Sequence, residues 1–293
     1  MFRTILVALD GSAASEHALP LAVSLARRAE ATLRLVHVRP TVPVPGEPPR
    51  TKEQDYLDLL AWKIRQTTHL PVFTAVLDGP VAETIAEHSR AVNANLIVMT
   101  THGRGPISRM WIGSVTDGLI RRSPVAVLVL RPTAEEPPPP ETPWAPKHIL
   151  VPLDGSALAE AALPAAAEIA RLTKADLTLF RIVEPITVLA PDGLIPQPTV
   201  LDVTVLDELK TQARAYVDRA AEKLSKEGVS AIGRIAVDDR AAAAILEEEK
   251  EHSLTAISTH ARHGVARLLL GSVADKLVRG AIGPVLVARP PAH

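Results

Sequence analysis

The chain has 293 residues, 47% of them apolar and only 3% aromatic, with a formal net charge of −1 and no cysteine. That length suits two ordinary domains with cores of Ala, Val, Leu and Ile. Interspersed charges leave no basic stripe for nucleic acid, no window of 18 apolar residues is there to span a membrane, and disulfides and thiolate metal sites are excluded. The start, MFRTILVALD, is a short apolar run ending in Asp. It lacks the long apolar region and small-residue cleavage site of a signal peptide, so it reads as a strand and the expected compartment is the cytoplasm. In chain order the first half predicts strand TILVAL (4–9), a helix over 13–29, strand TLRLVHV (32–38), a Pro-rich loop and a helix over 52–68. Strand VFTAVL (72–77), a helix over 81–92, strand LIVMT (96–100), a glycine-containing loop, a helix from Ser114 and strand VAVLVL (125–130) complete it.

The second half repeats this order. ILVALDGSAASEHALPLA (5–22) returns as ILVPLDGSALAEAALPAA (149–166), and TTHGRGPISRMWIGS (100–114) returns as STHARHGVARLLLGS (258–272). The offset grows from 144 to 158 residues, and the Pro-rich stretch 184–202 is the natural place for most of the extra material, as a lid or an interaction loop. Units this long are duplicated domains, not a repeat array. The junction TAEEPPPPETPWAPK (133–147) holds four consecutive prolines, which favour an extended spacer. The expected division is 1–133, a linker over 134–146, and 147–293. Near-continuous Val/Ile/Leu strands alternating with helices imply right-handed crossovers. The expected fold is α/β: two tandem doubly wound, Rossmann-like domains, each a five-stranded parallel sheet with helices on both faces.

In such sheets ligands sit beyond the carboxyl ends of the strands. Three pieces of each half end there: Asp10 (Asp154), Val38 (Ile182) and 100–103 (258–261). Gly103 permits positive φ and close approach of a ligand. Gly113 precedes a helix that begins Ser114-Val115-Thr116, where amide groups and the dipole end favour an anion and Ser114 either caps the helix or turns to a phosphate. No lysine precedes Ser114, so this is no P-loop, and the stretch beginning at Gly103 ends in Ser108, which breaks the dinucleotide fingerprint. Each candidate has a plainer reading. Asp10 and Asp154 suit turns or helix caps; His102 and His260 suit loop histidines; Arg104 and Arg262 suit solvent; Arg109 and Arg267 suit a loop cover; His37 suits a structural role. His263 follows His260 by three residues, but no nearby carboxylate completes a metal set. No Gly-x-Ser-x-Gly elbow supports nucleophilic hydrolysis.

The LDGS elements, the HV ending of the second strand and the loop pattern together resemble the universal stress protein family, whose nucleotide-binding members carry Gly-x2-Gly-x9-Gly-Ser/Thr after the fourth strand. The first half reads Thr100-x2-Gly103-x9-Gly113-Ser114 and the second reads Ser258-x2-Ala261-x9-Gly271-Ser272. The resemblance covers both halves. It implies ATP or a related adenine nucleotide, with Mg²⁺ held mainly by the phosphates. The backbone near Val38 would meet adenine, Asp10 with Ala8 and Leu9 would line the nucleoside, and Met99, Thr100, His102, Gly103, Arg104, Gly113, Ser114, Val115 and Thr116 would surround ribose and phosphates. Their counterparts are Asp154, Ile182, Ser258, His260, Ala261, Gly271, Ser272 and Val273. Ala261 in place of glycine costs about 1 kcal/mol if φ is positive, so the first site is expected to be the better one. The resemblance also implies pairing of the last strands, an internal pseudo-dimer, and leaves a homodimer of two chains open. A binding module is the favoured reading. A slow Mg-dependent ATPase lacks an evident general base or lysine, and a non-nucleotide scaffold gains from the missing glycines at 100, 258 and 261.

Overall fold

The computed structural model describes residues 2–40, 51–101, 113–132, 136–185, 187–188, 199–200, 203–259 and 271–290. The first half runs β1 (Thr4–Leu9), α1 (Ala13–Glu16), α2 (Ala18–Ala29), β2 (Thr32–Arg39), α3 (Thr51–Thr68), β3 (Val72–Asp78), α4 (Val81–Ala91), β4 (Leu96–Thr100), α5 (Ser114–Arg122) and β5 (Ala126–Leu130). The second runs β6 (His148–Pro152), α6 (Ala157–Glu160), α7 (Leu163–Thr173), β7 (Asp176–Val183), β8 (Thr187–Val188), β9 (Thr199–Val200), α8 (Val203–Lys226), β10 (Ala231–Val237), α9 (Ala241–Glu249), β11 (Leu254–Ser258), α10 (Ser272–Gly280) and β12 (Val285–Ala288). Each half forms a five-stranded parallel sheet, ordered β3-β2-β1-β4-β5 and β10-β7-β6-β11-β12. The central strands are covered on both faces, which is why they read as apolar runs rather than alternating ones. One core lies under α2, α3, α7 and α8, built on residues such as Leu19, Leu57, Ile169 and Val217. The other lies under α4, α5, α9 and α10, built on Ile85, Leu119, Ile245 and Leu277.

Where a single helix over 13–29 was expected, the chain makes two. Pro20 has no N–H to give the carbonyl of Glu16, so α1 stops there and α2 restarts after His17 (φ −58°, ψ −18°). Pro164 divides α6 from α7 in the same way. Within 184–202, β8 and β9 pair antiparallel; the rest of that insertion, apart from 184–185, lies outside the described residues.

Two devices join the halves. β5 and β12, the last strand of each, pair antiparallel with Val127 opposite Val287 and Val129 opposite Val285, so all ten strands form one sheet. Beside this seam the two halves exchange arginines. Arg289, just past β12, donates to the carbonyls of Arg121 and Ser123 at the end of α5, the latter at 2.8 Å. Arg131, just past β5, donates to the carbonyl of Arg279 at the end of α10. The final carbonyls of a helix lack intrahelical partners and carry its negative dipole end, so a cation there satisfies both. Burial, with Arg90 nearby, holds the Arg289 pKa below the ordinary arginine value. The Pro-rich junction is bonded to the first half: Trp144 N donates to Ser24 Oγ at 2.8 Å and Arg28 donates to the Trp144 carbonyl at 3.2 Å.

Hydrogen bonds to charged groups contribute about 1.5–3 kcal/mol each. Arg289→Gln is therefore expected to lower the unfolding free energy by about 2 kcal/mol, read from the urea midpoint of the full chain. An unchanged midpoint would show that the exchanged arginines add nothing to the strand pairing.

Candidate functional site

The carboxyl ends of β1, β2 and β4 and the start of α5 enclose a cleft of about 450 Å³. Of the positions singled out in the first half, the structure gathers Ala8, Leu9, Asp10, Val38, Met99, Thr100, Gly113, Ser114, Val115 and Thr116 around it. His102, Gly103 and Arg104 lie outside the described residues. Sequence reasoning missed Ser15, His37, Pro40, Val81, Ile85 and Thr101 as wall residues. Val81 and Ile85 carried a usable signal: they stand one turn apart at the start of α4, so they present one apolar face there.

Asp10 ends β1 and its carboxylate folds back on the next turn. Oδ1 accepts from Ser12 N at 2.9 Å and from Ser12 Oγ, while Ser12 Oγ accepts from Ser15 N and caps α1. Gly11 sits at φ +80°, which only glycine adopts freely, so the LDGS order is what this turn demands. Asp10 thus holds the turn and lines the cleft at once. Below the turn, Tyr56 of α3 donates to Glu16 Oε1 at 3.0 Å. Burial first, and the Glu16 carboxylate second, push the phenol well above its usual pKa, so it stays a neutral donor.

The opposite wall is made by an unusually close approach of helix to strand. Gly113 N donates to the Thr101 carbonyl at 3.0 Å, and a Cβ on Gly113 would stand 2.8 Å from that same oxygen. Thr116 Oγ1 reaches the carbonyls of Thr100 and Thr101 at 3.2 and 3.3 Å. Gly113, with φ −58°, is needed here for space, not for a left-handed turn. It is also the N-cap, and no side chain caps α5; Ser114 stands exposed at the first helical position. The first intrahelical bond is Asp117 N to Gly113 O. The amides of Ser114, Val115 and Thr116 therefore precede the ladder, at the positive end of the helix and at the cleft wall.

The second half keeps the frame and changes the fittings. Asp154 Oδ1 accepts from Ser156 N at 2.8 Å, and Gly155 sits at φ +86°. Ile182 lies in β7, Ser258 ends β11, and Gly271, Ser272 and Val273 open α10. Ala274 stands where the first half has Thr116, so the hydroxyl tether is gone, and among the described residues nothing lies within 4 Å of a Cβ on Gly271. Arg181 takes the position of His37; its guanidinium lies against Gly155 and 5.1 Å from the ring centre of Tyr216. His260 and Ala261 lie outside the described residues. Among the described residues no cluster of three or more His, Cys, Asp or Glu is placed to hold a metal, and no helix is long and apolar enough to cross a membrane.

With this geometry in hand, comparison with known proteins finds a family model, described as the universal stress protein family, that matches residues 1–131 and 146–289. Universal stress protein Rv1996 of Mycobacterium tuberculosis is 28% identical over 98% of this chain and 95% of its own length. Universal stress protein Mb2028c of Mycobacterium bovis is 27% identical over 67% of this chain, a stretch spanning only 62% of that relative's length. Among solved structures, a universal stress protein from Archaeoglobus fulgidus superposes with a TM-score of 0.67 at 18% identity, covering 98% of this chain and 96% of that one. That likeness shows the fold.

The Gly113–Thr101 contact separates the two halves experimentally. Gly113→Ala presses a methyl on a backbone oxygen and is expected to cost about 1–3 kcal/mol of stability. Gly271→Ala, which no described residue crowds, is expected to stay within about 0.5 kcal/mol. Denaturant midpoints of the two variants check this, and equal midpoints would contradict the packing described.

Proposed function

The chain belongs to the universal stress protein family, and from that premise we propose that its first half binds ATP, with Mg²⁺ carried on the phosphates, as a nucleotide-dependent module of stress adaptation or signalling. The observation that carries this reading is the cleft itself. Its apolar side, with Val38, Val81, Ile85 and Met99, suits the faces of an adenine ring. Asp10 stands at the turn where a ribose hydroxyl would find an acceptor. The opening amides of α5 suit the phosphates, and Gly113 and Thr116 hold that helix start against β4 before any ligand arrives. Preorganised donors lose less on binding than donors that must be gathered.

Binding is favoured over turnover. Asp10 Oδ1 is already engaged by Ser12, and no lysine lines the cleft among the described residues. The second half, with Ala274, a Gly271 that no described residue crowds and the Arg181 side chain, supports a weaker or altered site. We place the domains at 1–133 and 147–293 with the linker at 134–146, and read the β5–β12 pairing as an internal pseudo-dimer that substitutes for two separate chains. The tether supplies the effective concentration for that pairing.

Calorimetric titration of the full chain with ATP and Mg²⁺ is expected to give close to one tight site per chain. Asp10→Ala is expected to weaken it at least about tenfold, which is about 1.4 kcal/mol, whereas Asp154→Ala leaves that site unchanged. No heat, together with no adenine nucleotide released from freshly purified protein, would overturn nucleotide binding in favour of a scaffold role. A larger loss from Asp154→Ala would reverse the ranking of the halves. Steady-state phosphate release abolished by Asp10→Ala would convert the reading from binding to hydrolysis.

A further inference from the structure

The duplication supplies an internal control for one surface. α2 and α3 of the first half correspond to α7 and α8 of the second, with Tyr56 and Tyr216 each bonded to the equivalent glutamate, Glu16 or Glu160. In the first half Val23 of α2 and Leu60 of α3 are buried in one core. Their counterparts are Ala167 and Ala220. A groove of about 590 Å³ runs between α7 and α8, with those alanines in its lining and Arg219 and Lys223 along one rim. Arg171, on the other rim, is engaged by Glu168 and Glu227. Arg219 and Lys223 have no ion-pair partner among the described residues.

The complementary surface is on the same chain. α3 exposes Asp55, Asp58, Leu59 and Trp62 at i, i+3, i+4 and i+7, which is one continuous stripe. Leu59 is 52% and Trp62 56% exposed, among the most exposed large apolar side chains described. Asp58, at the flank of the stripe, accepts from Gln54 and from Thr74 of β3, which turns its carboxylate toward the strand. The positions of Leu59 and Trp62 are filled by Arg219 and Glu222 in α8, so the second half has no such stripe. One half therefore carries two apolar knobs beside Asp55, and the other carries a groove with two alanines in its lining beside Arg219 and Lys223.

The two surfaces cannot meet within one chain. α3 packs on the edge strand β3 and α8 on the opposite edge strand β10, with ten strands in the sheet, so they stand roughly 40 Å apart at ~4.8 Å per strand. They lie on the same face of the sheet, as the two flanks of a layer ordered α8, α7, α2, α3. A twofold arrangement of two copies would set each copy's α3 against the other's groove. The contact is then isologous and closes as a dimer. We propose that the α7–α8 groove is the docking site for α3 of a second copy of this chain, with Trp62 and Leu59 seated over Ala167 and Ala220 and with Asp55 facing Arg219 and Lys223.

The chain has no cysteine, so the full-length variant Leu59→Cys/Ala220→Cys reports directly on this contact. Oxidation is expected to give covalent dimers and nothing longer. In sedimentation equilibrium the unmodified chain is expected to be dimeric at about 100 µM, where even a micromolar interface is filled. Trp62→Asp, at an exposed site, is expected to raise the dissociation constant at least about tenfold. Lys223→Glu is expected to weaken it as well, and Asp55→Arg combined with Arg219→Asp is expected to recover more than the two single changes predict. Thermal melts of each variant separate lost association from lost folding. A monomer at that concentration, a dimer indifferent to both Trp62→Asp and Lys223→Glu, or a ladder of crosslinked species would each overturn the proposal.

Discussion

The contact on which the rest of the site depends is the approach of α5 to the end of β4. A main-chain hydrogen bond from Gly113 and two contacts from one threonine hydroxyl bring the first turn of a helix against a strand carbonyl where no Cβ fits. This turns a generic feature of doubly wound sheets, helix starts near strand ends, into a wall at fixed distance from Asp10 and Val38. The other wall is fixed by different means, an aspartate folded over a left-handed glycine and locked to a capping serine. Both walls are made by short-range chemistry within a few residues, and the parallel sheet only has to set them side by side.

That sheet depends on its seam. Two parallel five-stranded units each end in an edge strand whose unpaired backbone groups seek a partner. β5 and β12 give each other that partner, and Arg131 and Arg289 close the helix ends on either side of it. Arg289 therefore acts at one end of α5 while the Gly113 contact acts at the other. A helix of nine residues pinned at both ends by groups from different halves has little freedom to shift, and the first cleft inherits that rigidity from the second half.

Much of this was legible in the sequence for identifiable reasons. Strands buried on both faces announce themselves as Val/Ile/Leu runs, and the duplication doubles each signal. The LDGS turn was legible because aspartate, left-handed glycine and capping serine are each required by it. The break at Pro20 was on the page and still escaped, because the apolar period continues through it while the missing N–H does not show in a hydrophobic pattern. His37 was read as structural because it lies within an apolar strand; only its register at the strand end places it at the cleft. The need for glycine at 113 was legible in kind but not in cause. A carbonyl contributed by Thr101, twelve residues upstream, dictates it, and no local pattern records such an approach.

Among the many differences between the two halves, some bear directly on the cleft and on the outer helix pair. Thr116 becomes Ala274 and the glycine contact is lost, so the second cleft has a looser wall. His37 becomes Arg181, which stacks on Tyr216 and leans on the Gly155 turn. On the outer face Val23 and Leu60 become alanines, and Leu59 and Trp62 become charged residues. These differences fall at the cleft wall and at the α2–α3 and α7–α8 pairs. Alanines line the second half's helix groove, and a tether that fixes the first half's cleft leaves slack when it is lost from the second. The physical consequence of joining two copies in one chain is that neither copy has to satisfy every requirement alone: one can keep the rigid cleft while the other contributes the arginine that braces it.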